Sequence, residues 1–394
     1  MTRHRPILLI IVIAQFCCTS LWFASNAVME GLLADFGLEL TALGHLTSAV
    51  QLGFIVGTLI FALLSVADRY APSTVFFICA LAGSIFNLGV LWNGNTLATL
   101  IAFRSLTGFC LAGIYPVGMK IAADHFEKGL GKSLGYLVGA LVLGTAFPHF
   151  LKAFTGALPW KMIIIFTSIL ATLGGFALFL LVPNGPYRKA AAKLDLSASL
   201  HIFRKTGFRA AAYGYFGHMW ELYTFWAFVP AMLSAYSTLH GLPSFDVALW
   251  AFLIIGVGGI GCVFSGLLSV SWGSKRIASM ALTASGCCCL ISPLMFMLDI
   301  PALFLSFLLF WGVAVIADSP LFSTLIAQHA PAHIKGTALT LVNCIGYAIT
   351  IFSIQLINVL MIDLDIQYVF IFLAIGPVLG LIGLSRNQYR SVKK

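Results

Sequence analysis

Met162-Ile-Ile-Ile-Phe-Thr-Ser-Ile-Leu-Ala-Thr-Leu-Gly-Gly-Phe-Ala-Leu-Phe-Leu-Leu-Val182 is the stretch that decides the fold class. It carries no charge and, at about 1.5 Å per residue, is long enough to cross a hydrocarbon core of about 30 Å. Its apolar residues do not alternate with polar ones, as a barrel strand with a wet inner face requires. In lipid every backbone N–H and C=O must be satisfied, and without alternation the helix is the form left. Ile7–Phe16, near the start of the chain, reads the same way.

The rest of the 394 residues fits a lipid solvent. The chain is 60% hydrophobic and 9% charged, against roughly 25% charged in a soluble domain. Its net charge of +9 does not point to nucleic acid, because the basic residues fall in short segments between apolar runs, where they set topology. The nine cysteines sit inside apolar runs without metal-site spacing to histidine and read as small buried hydrophobes. No cofactor, metal or nucleic-acid partner is expected. Thr2-Arg3-His4-Arg5 opens like a signal peptide. The apolar run then continues past Trp22 and Phe23, beyond the roughly 7–15 residues of a signal-peptide core, and reads as an uncleaved first span.

Spanning helices are expected near 6–29, 42–65, 73–93, 96–119, 133–155, 160–182, 208–236, 246–270, 277–298, 301–325, 336–361 and 366–385. Arg3, Arg5, Arg69, Lys120, Lys128 and Lys132 fall on one side, with the basic residues of 188–209, 275–276, 335 and 386–394. The other side holds Glu30, Asp35, Glu39, Asp246, Asp299, Asp363 and Asp365, with only Lys152 and Lys161 as cations near it. The positive-inside rule then puts both termini in the cytoplasm, which requires an even number of helices. The expected protein is an all-α, multi-pass, monomeric inner-membrane protein of twelve transmembrane helices in two pseudo-symmetric six-helix bundles. Residues 1–182 form the first bundle, 183–207 a cytoplasmic linker and 208–394 the second. Within the linker, Lys189–Leu196 reads either as a basic helix on the anionic leaflet or, better, as a solvated tether.

Internal symmetry supports the two halves. Leu64-Ser-Val-Ala-Asp68-Arg69-Tyr-Ala-Pro72 follows the second segment, and Gly266-Leu-Leu-Ser-Val-Ser-Trp-Gly273-Ser-Lys275-Arg276 follows the eighth, 202 positions on (266 − 64). Pro116 and His125 recur as Pro320 and His329, each 204 positions on (320 − 116, 329 − 125). Both loops resemble the G-x-x-x-D-R-x-G-R-K loop of the major facilitator superfamily. The first has lost both glycines, and the second has Val270 in place of the acid. Arg104-Ser-Leu-Thr-Gly108-Phe-Cys-Leu-Ala112 in the fourth segment matches that superfamily's R-x-x-x-G-x-x-x-A pattern. The resemblance covers essentially the whole chain. It implies alternating access around a central site, with Asp68, Arg69, Lys275 and Arg276 gating the cytoplasmic side, Asp68 and Arg69 through charge pairing and helix-end contacts.

Three charges lie well inside spans, where each costs about 2.5–3.5 kcal/mol even on insertion scales and so needs a reason. Glu221 lies near the middle of the seventh span, within a run rich in amphipathic aromatics, with His218 three positions earlier on the same face. This pair is expected to carry a coupling proton; the bland alternative is a neutral acid bonded to a neighbouring helix. Arg104 is either an anion contact or a tie to helix-end carbonyls. Asp318 precedes Ser319-Pro320 and is expected to cap or gate a kink. Trp22, Asn26, Gln51, Tyr215, Trp220 and Tyr223 supply polar and aromatic groups for a solute site. The glycine pairs Gly53/Gly57 and Gly135/Gly139 and the cluster Gly256–Gly261 are expected to let helices approach closely.

The function expected is secondary active transport of a small solute, coupled to protons. Alternatives are a small-anion carrier for nitrate, nitrite or cyanate, a drug–proton antiporter, and a transporter-like sensor. The resemblance weakens the first, because no arginine stands in the second or eighth span, where nitrate carriers of the superfamily hold their anion. It also weakens the second, because Gly144 is followed by Thr145 instead of the proline of the antiporter motif. No nucleophile–base constellation marks an enzyme.

Overall fold

The computed structural model describes residues 4–126, 130–156, 158–188, 201–243, 245–331 and 334–389. The basic stretch at 189–196 lies outside them. The chain is all helix and divides into two compact units, Met1–Lys193 and Leu194–Lys394. In the first unit α1 is His4–Thr19, α2 Ala42–Leu63, α3 Pro72–Gly89, α4 Leu97–His125, α5 Leu130–Thr155 and α6 Trp160–Leu181. In the second, α7 is Thr206–Leu239, α8 Val247–Trp272, α9 Ser274–Met297, α10 Pro301–His329, α11 Lys335–Asp363 and α12 Ile366–Ser385. Ten of these are long and apolar enough to cross a membrane among the described residues. The others are α1, a shorter apolar helix, and the 34-residue α7, which is diluted by polar aromatics.

Helix α1 departs from the sequence expectation. In place of one helix over 6–29, the chain leaves the helix after Thr19 and turns through Ser20–Phe23. It then resumes as two short helices, Ala24–Ala27 and Met29–Phe36. Helices α4 and α10 run past their expected ends to His125 and His329, and each is interrupted once, at Gly113–Ile114 and at Asp318. Proline explains both interruptions. Pro116 and Pro320 stand at the second position of the resumed helix, where a missing N–H costs nothing. Each of these helices closes on a histidine that bonds back one turn: His125 Nδ1 to Ile121 O at 2.9 Å, and His329 Nδ1 to Leu325 O at 2.8 Å.

Small residues set the closest helix contacts. A Cβ on Gly53 would overlap Ser105 O, and one on Gly108 would overlap Val50 O, so α2 and α4 meet backbone to backbone. In the second unit, Gly312 of α10 lies against Ile254 O of α8 in the same way, and 312 − 108 is again 204. Gly258 and Gly261 of α8 face α10, at Gly312 O and Val313 O, both 2.9 Å from the added atom. Gly135 and Gly139 are different. A Cβ at either would meet nothing within 4 Å, which corrects the packing role expected of that pair.

Candidate functional site

Helix α7 carries the centre of the second unit. Glu221, 1% exposed, accepts three hydrogen bonds from two other helices. Trp311 Nε1 of α10 donates to Oε1 at 2.6 Å, Cys289 Sγ of α9 to Oε1 at 3.3 Å, and Ser285 Oγ of α9 to Oε2 at 2.9 Å. Ser285 Oγ also lies 3.2 Å from Leu282 O, a second acceptor within reach of the same hydroxyl. If Glu221 Oε2 gains a proton, the hydroxyl can turn to Leu282 O and accept from the acid, so the site keeps its hydrogen bonds in either state.

His218, on the same face of α7, meets a different partner from Glu221. Its Nδ1 lies 2.7 Å from Asp318 Oδ1, at the interruption of α10, with both side chains 1% exposed. Three positions apart, the two α7 side chains diverge enough for each to meet a different neighbour: His218 the α10 break, Glu221 the α9 serine and cysteine. Tyr215 stacks obliquely near His218, with ring centres 6.0 Å apart. Tyr223 Oη pairs with Tyr347 Oη of α11 at 2.8 Å. Trp220 turns the other way, towards α12, where its Nε1 donates to Phe372 O at 3.2 Å and its ring covers Gly376. That contact joins α7 to α12.

The first unit has a polar centre of its own, around Arg104. The side chain is fully buried. Nη1 donates to Asn87 Oδ1 of α3 at 2.9 Å, and Nη2 donates to Leu21 O and Trp22 O at 3.0 and 2.6 Å. Those carbonyls belong to the turn where α1 breaks. Asn87 passes the link to α6 by donating to Ser168 Oγ at 3.0 Å and Thr167 Oγ1 at 3.3 Å. Of the two readings open for Arg104, this geometry is that of the tie to backbone carbonyls: both terminal nitrogens donate to protein oxygens, while Nε has no partner among the described residues. Nearby, Trp22 packs on Phe54 with ring centres 4.9 Å apart, and Asn26 Nδ2 donates to Thr47 Oγ1 at 2.8 Å. Gln51 is fully buried, and neither end of its amide has a partner among the described residues.

The loop residues are held otherwise than by pairing with each other. Asp68 bonds Lys120 Nζ of α4 at 2.9 Å, not Arg69, which is exposed. Lys120 also approaches Asp124 at 3.7 Å, and Arg188 donates to Asp68 O and Tyr70 O at 2.8 and 2.7 Å. Ser65, next to the Leu64 that stands at the related loop's first glycine position, takes a left-handed backbone, φ 50°, and Gly273, at the second glycine position of the second copy, has φ 82°. Lys275 Nζ caps Leu384 O at 3.2 Å, and Arg276 lies over Trp272. Asn87, Ser285, Cys289 and Trp311 were missed from the sequence. The one available signal was that every ionisable group inside a span needs donors or acceptors from a neighbouring span.

A sequence model described as Major Facilitator Superfamily matches residues 11–354. The chain belongs to the Major Facilitator Superfamily. It is a multi-pass membrane protein with that superfamily's fold. Its overall similarity to the solved D-xylose–proton symporter has a TM-score of 0.79 at 14% identity, covering 96% of this chain and 97% of that one. To the nucleoside transporter NupG the TM-score is 0.74 at 14% identity, covering 97% and 99%. Among curated superfamily relatives, the uncharacterized MFS-type transporter YybF of Bacillus subtilis is 22% identical over 275 residues, 68% of this chain and 66% of that protein. The 4-hydroxybenzoate transporter PcaK of Pseudomonas aeruginosa is 25% identical over 201 residues, 45% of this chain and 44% of that one. The niacin transporter NiaP of Acinetobacter baylyi is 29% identical over 133 residues, 31% and 30% respectively. The chain spans less than two thirds of the length of these curated relatives.

Proposed function

We propose that this superfamily member is a secondary active transporter that moves a small solute across the bacterial inner membrane by alternating access, coupled to protons through Glu221 and His218. The observation that carries the reading is the Glu221 site. A carboxyl in the middle of a spanning helix has three donors, one of which, Ser285, has a second acceptor ready. With that second acceptor the serine can serve Glu221 with or without a proton, as a group that takes up and releases one requires. The solute is met by Gln51, whose buried amide has no partner among the described residues, together with Trp22, Asn26, Tyr215 and Tyr223. Asp68, Lys275 and Arg276 act at the cytoplasmic gate, Asp68 through Lys120, and both termini lie in the cytoplasm.

Two of the curated relatives are named for 4-hydroxybenzoate and niacin, both aromatic monocarboxylic acids. They make that class the first to try. The test is uptake of radiolabelled niacin and 4-hydroxybenzoate by proteoliposomes, with and without an inward proton gradient. The wild type accumulates a solute only under the gradient. Glu221→Gln keeps the acceptor and donor atoms near their places but cannot cycle a proton, so gradient-driven accumulation falls at least about tenfold, a barrier change of about 1.4 kcal/mol. Accumulation by Glu221→Gln with an unchanged pH dependence would remove Glu221 from coupling.

A further inference from the structure

His218 reaches from α7 to the point where α10 breaks. Two features of that contact are not those of a structural hydrogen bond. The first is its geometry: Nδ1 and Oδ1 are 2.7 Å apart, the distance of a charge-assisted contact. His218 Nε2 and Asp318 Oδ2 are both buried without a partner among the described residues. The second is what Asp318 forgoes. It stands at the N-cap of the resumed helix Ser319–His329, where aspartate ordinarily bonds an amide of the first turn, and its side chain makes no such bond. Its backbone carbonyl accepts from Leu321 N and Phe322 N at 3.0 and 2.9 Å, while the carboxylate turns away from its own helix to His218. The break itself does not need the carboxylate. Pro320 supplies no N–H and crowds the carbonyl four residues back, Ile316 O, which Cys262 Sγ of α8 takes up at 3.5 Å.

We propose that Asp318 is a positioning residue for proton coupling: it engages His218 at Nδ1, leaves Nε2 as the atom that takes up and returns the proton, and ties α7 to the α10 break while the proton is held. The proposal rests on the transport reading above and extends it to a third residue. A proton arriving at Nε2 turns the neutral imidazole into an imidazolium. Beside the carboxylate it makes a pair of net charge zero, attracted by a full charge at each end. When the proton leaves, a neutral ring faces the carboxylate, the contact loses its charge–charge attraction, and the tie loosens. The other ionisable groups on the packed helices have partners of their own. Glu221 holds Trp311, Ser285 and Cys289, Cys262 holds Ile316 O, and Tyr347 of α11 holds Tyr223.

Two measurements test the proposal in the full-length protein. Thermal unfolding of the wild type, His218→Gln, Asp318→Asn and the double variant is compared at about pH 5.5 and pH 8.5, either side of the ordinary imidazole range. The tie predicts that at the acid pH the double variant melts no lower than the worse single one, and that this non-additivity shrinks at the alkaline pH. Losses that add at both values, or equal non-additivity at both, overturn it. In proteoliposomes with niacin and 4-hydroxybenzoate as probes, Asp318→Asn should keep counterflow but lose proton-driven accumulation, with part of it recovered in Asp318→Glu. Equal loss of both activities reduces Asp318 to a structural role and overturns the proposal. If the wild type carries neither probe, the transport reading fails for that solute class, while the unfolding cycle still decides the tie.

Discussion

Arg104 and Leu308 occupy matching places in the two halves, 204 positions apart (308 − 104), like Pro116 and Pro320. The difference between them follows the backbone. In the first unit α1 breaks and exposes the carbonyls of Leu21 and Trp22, and the guanidinium takes both. In the second unit α7 runs as one helix from Thr206 to Leu239, with Pro230 inside it, and no turn opens there as one does after Thr19. Arg104→Leu should therefore lower unfolding stability by about 3–5 kcal/mol, because it strips a buried network of its donors. Arg104→Lys should recover little, since an ammonium has no planar fork to span Asn87 and two carbonyls. Thermal melts of the purified variants check both. A lysine variant as stable as the wild type would mean that charge alone, not the fork, holds α1. The sequence made clear that Arg104 needed a partner in a span, but not which one: no glycine or proline marks the break at Ser20–Phe23. The partner of His218 was hidden for a similar reason. Helical spacing says which side chains share a face, while the partner depends on how α7 and α10 are set against each other along their lengths, which periodicity does not encode.

At the scale of elements, the glycine pattern was legible only where two helices both supplied it. Gly53 of α2 lies against Ser105 and Phe109 of α4, Gly57 against Phe109 and Ala112, and Gly108 against Val50, so the R-x-x-x-G-x-x-x-A resemblance is carried physically by a backbone contact one turn from the arginine. Gly135 and Gly139 have the same spacing and no such neighbour. Substitution separates the two cases. Gly108→Ala puts a methyl group into Val50 O and should cost about 1–3 kcal/mol of stability, as overpacking does. Gly139→Ala meets nothing and should be neutral or stabilising by about 0.5–1 kcal/mol, the helix-propensity gain of alanine over glycine. Paired melting curves decide it. A destabilised Gly139→Ala with an intact Gly108→Ala would reverse the assignment. The spans themselves were legible from hydropathy because lipid gives a chain so few ways to satisfy its backbone. The expected spans 96–119 and 301–325 already ran past Pro116 and Pro320; the interruptions at Gly113–Ile114 and Asp318, and the continuation to His125 and His329, came from the structure.

At the scale of the whole molecule, the charges that set topology also hold parts of the fold. The two lysines among the acids, Lys152 and Lys161, are both answered by the outer extension of α1: Lys152 bonds Glu30 at 2.9 Å, and Lys161 lies 3.7 Å from Asp35. Trp160 Nε1 donates to that same Asp35 at 3.0 Å. These exposed pairs add little stability, typically no more than about 1 kcal/mol each, but they leave that face with no unanswered lysine to compete with the opposite one. The basic excess of the Asp68–Arg69, Lys120 and Lys275–Arg276 face is then unopposed, and the positive-inside rule should act on it fully. Fusion reporters test the orientation without any knowledge of the solute. Green fluorescent protein joined after Lys394 should fluoresce in a bacterial host, because that end stays in the cytoplasm. Alkaline phosphatase joined after Gly241, in the turn that follows α7, should be active, because that turn is exported. The opposite pattern would invert the molecule, setting the Asp68–Lys120 pair on the outer face and the Lys152–Glu30 pair on the inner one. The gating assignment of Asp68, Lys275 and Arg276 would then fall while the Glu221 site, near the middle of its span from either side, would stand.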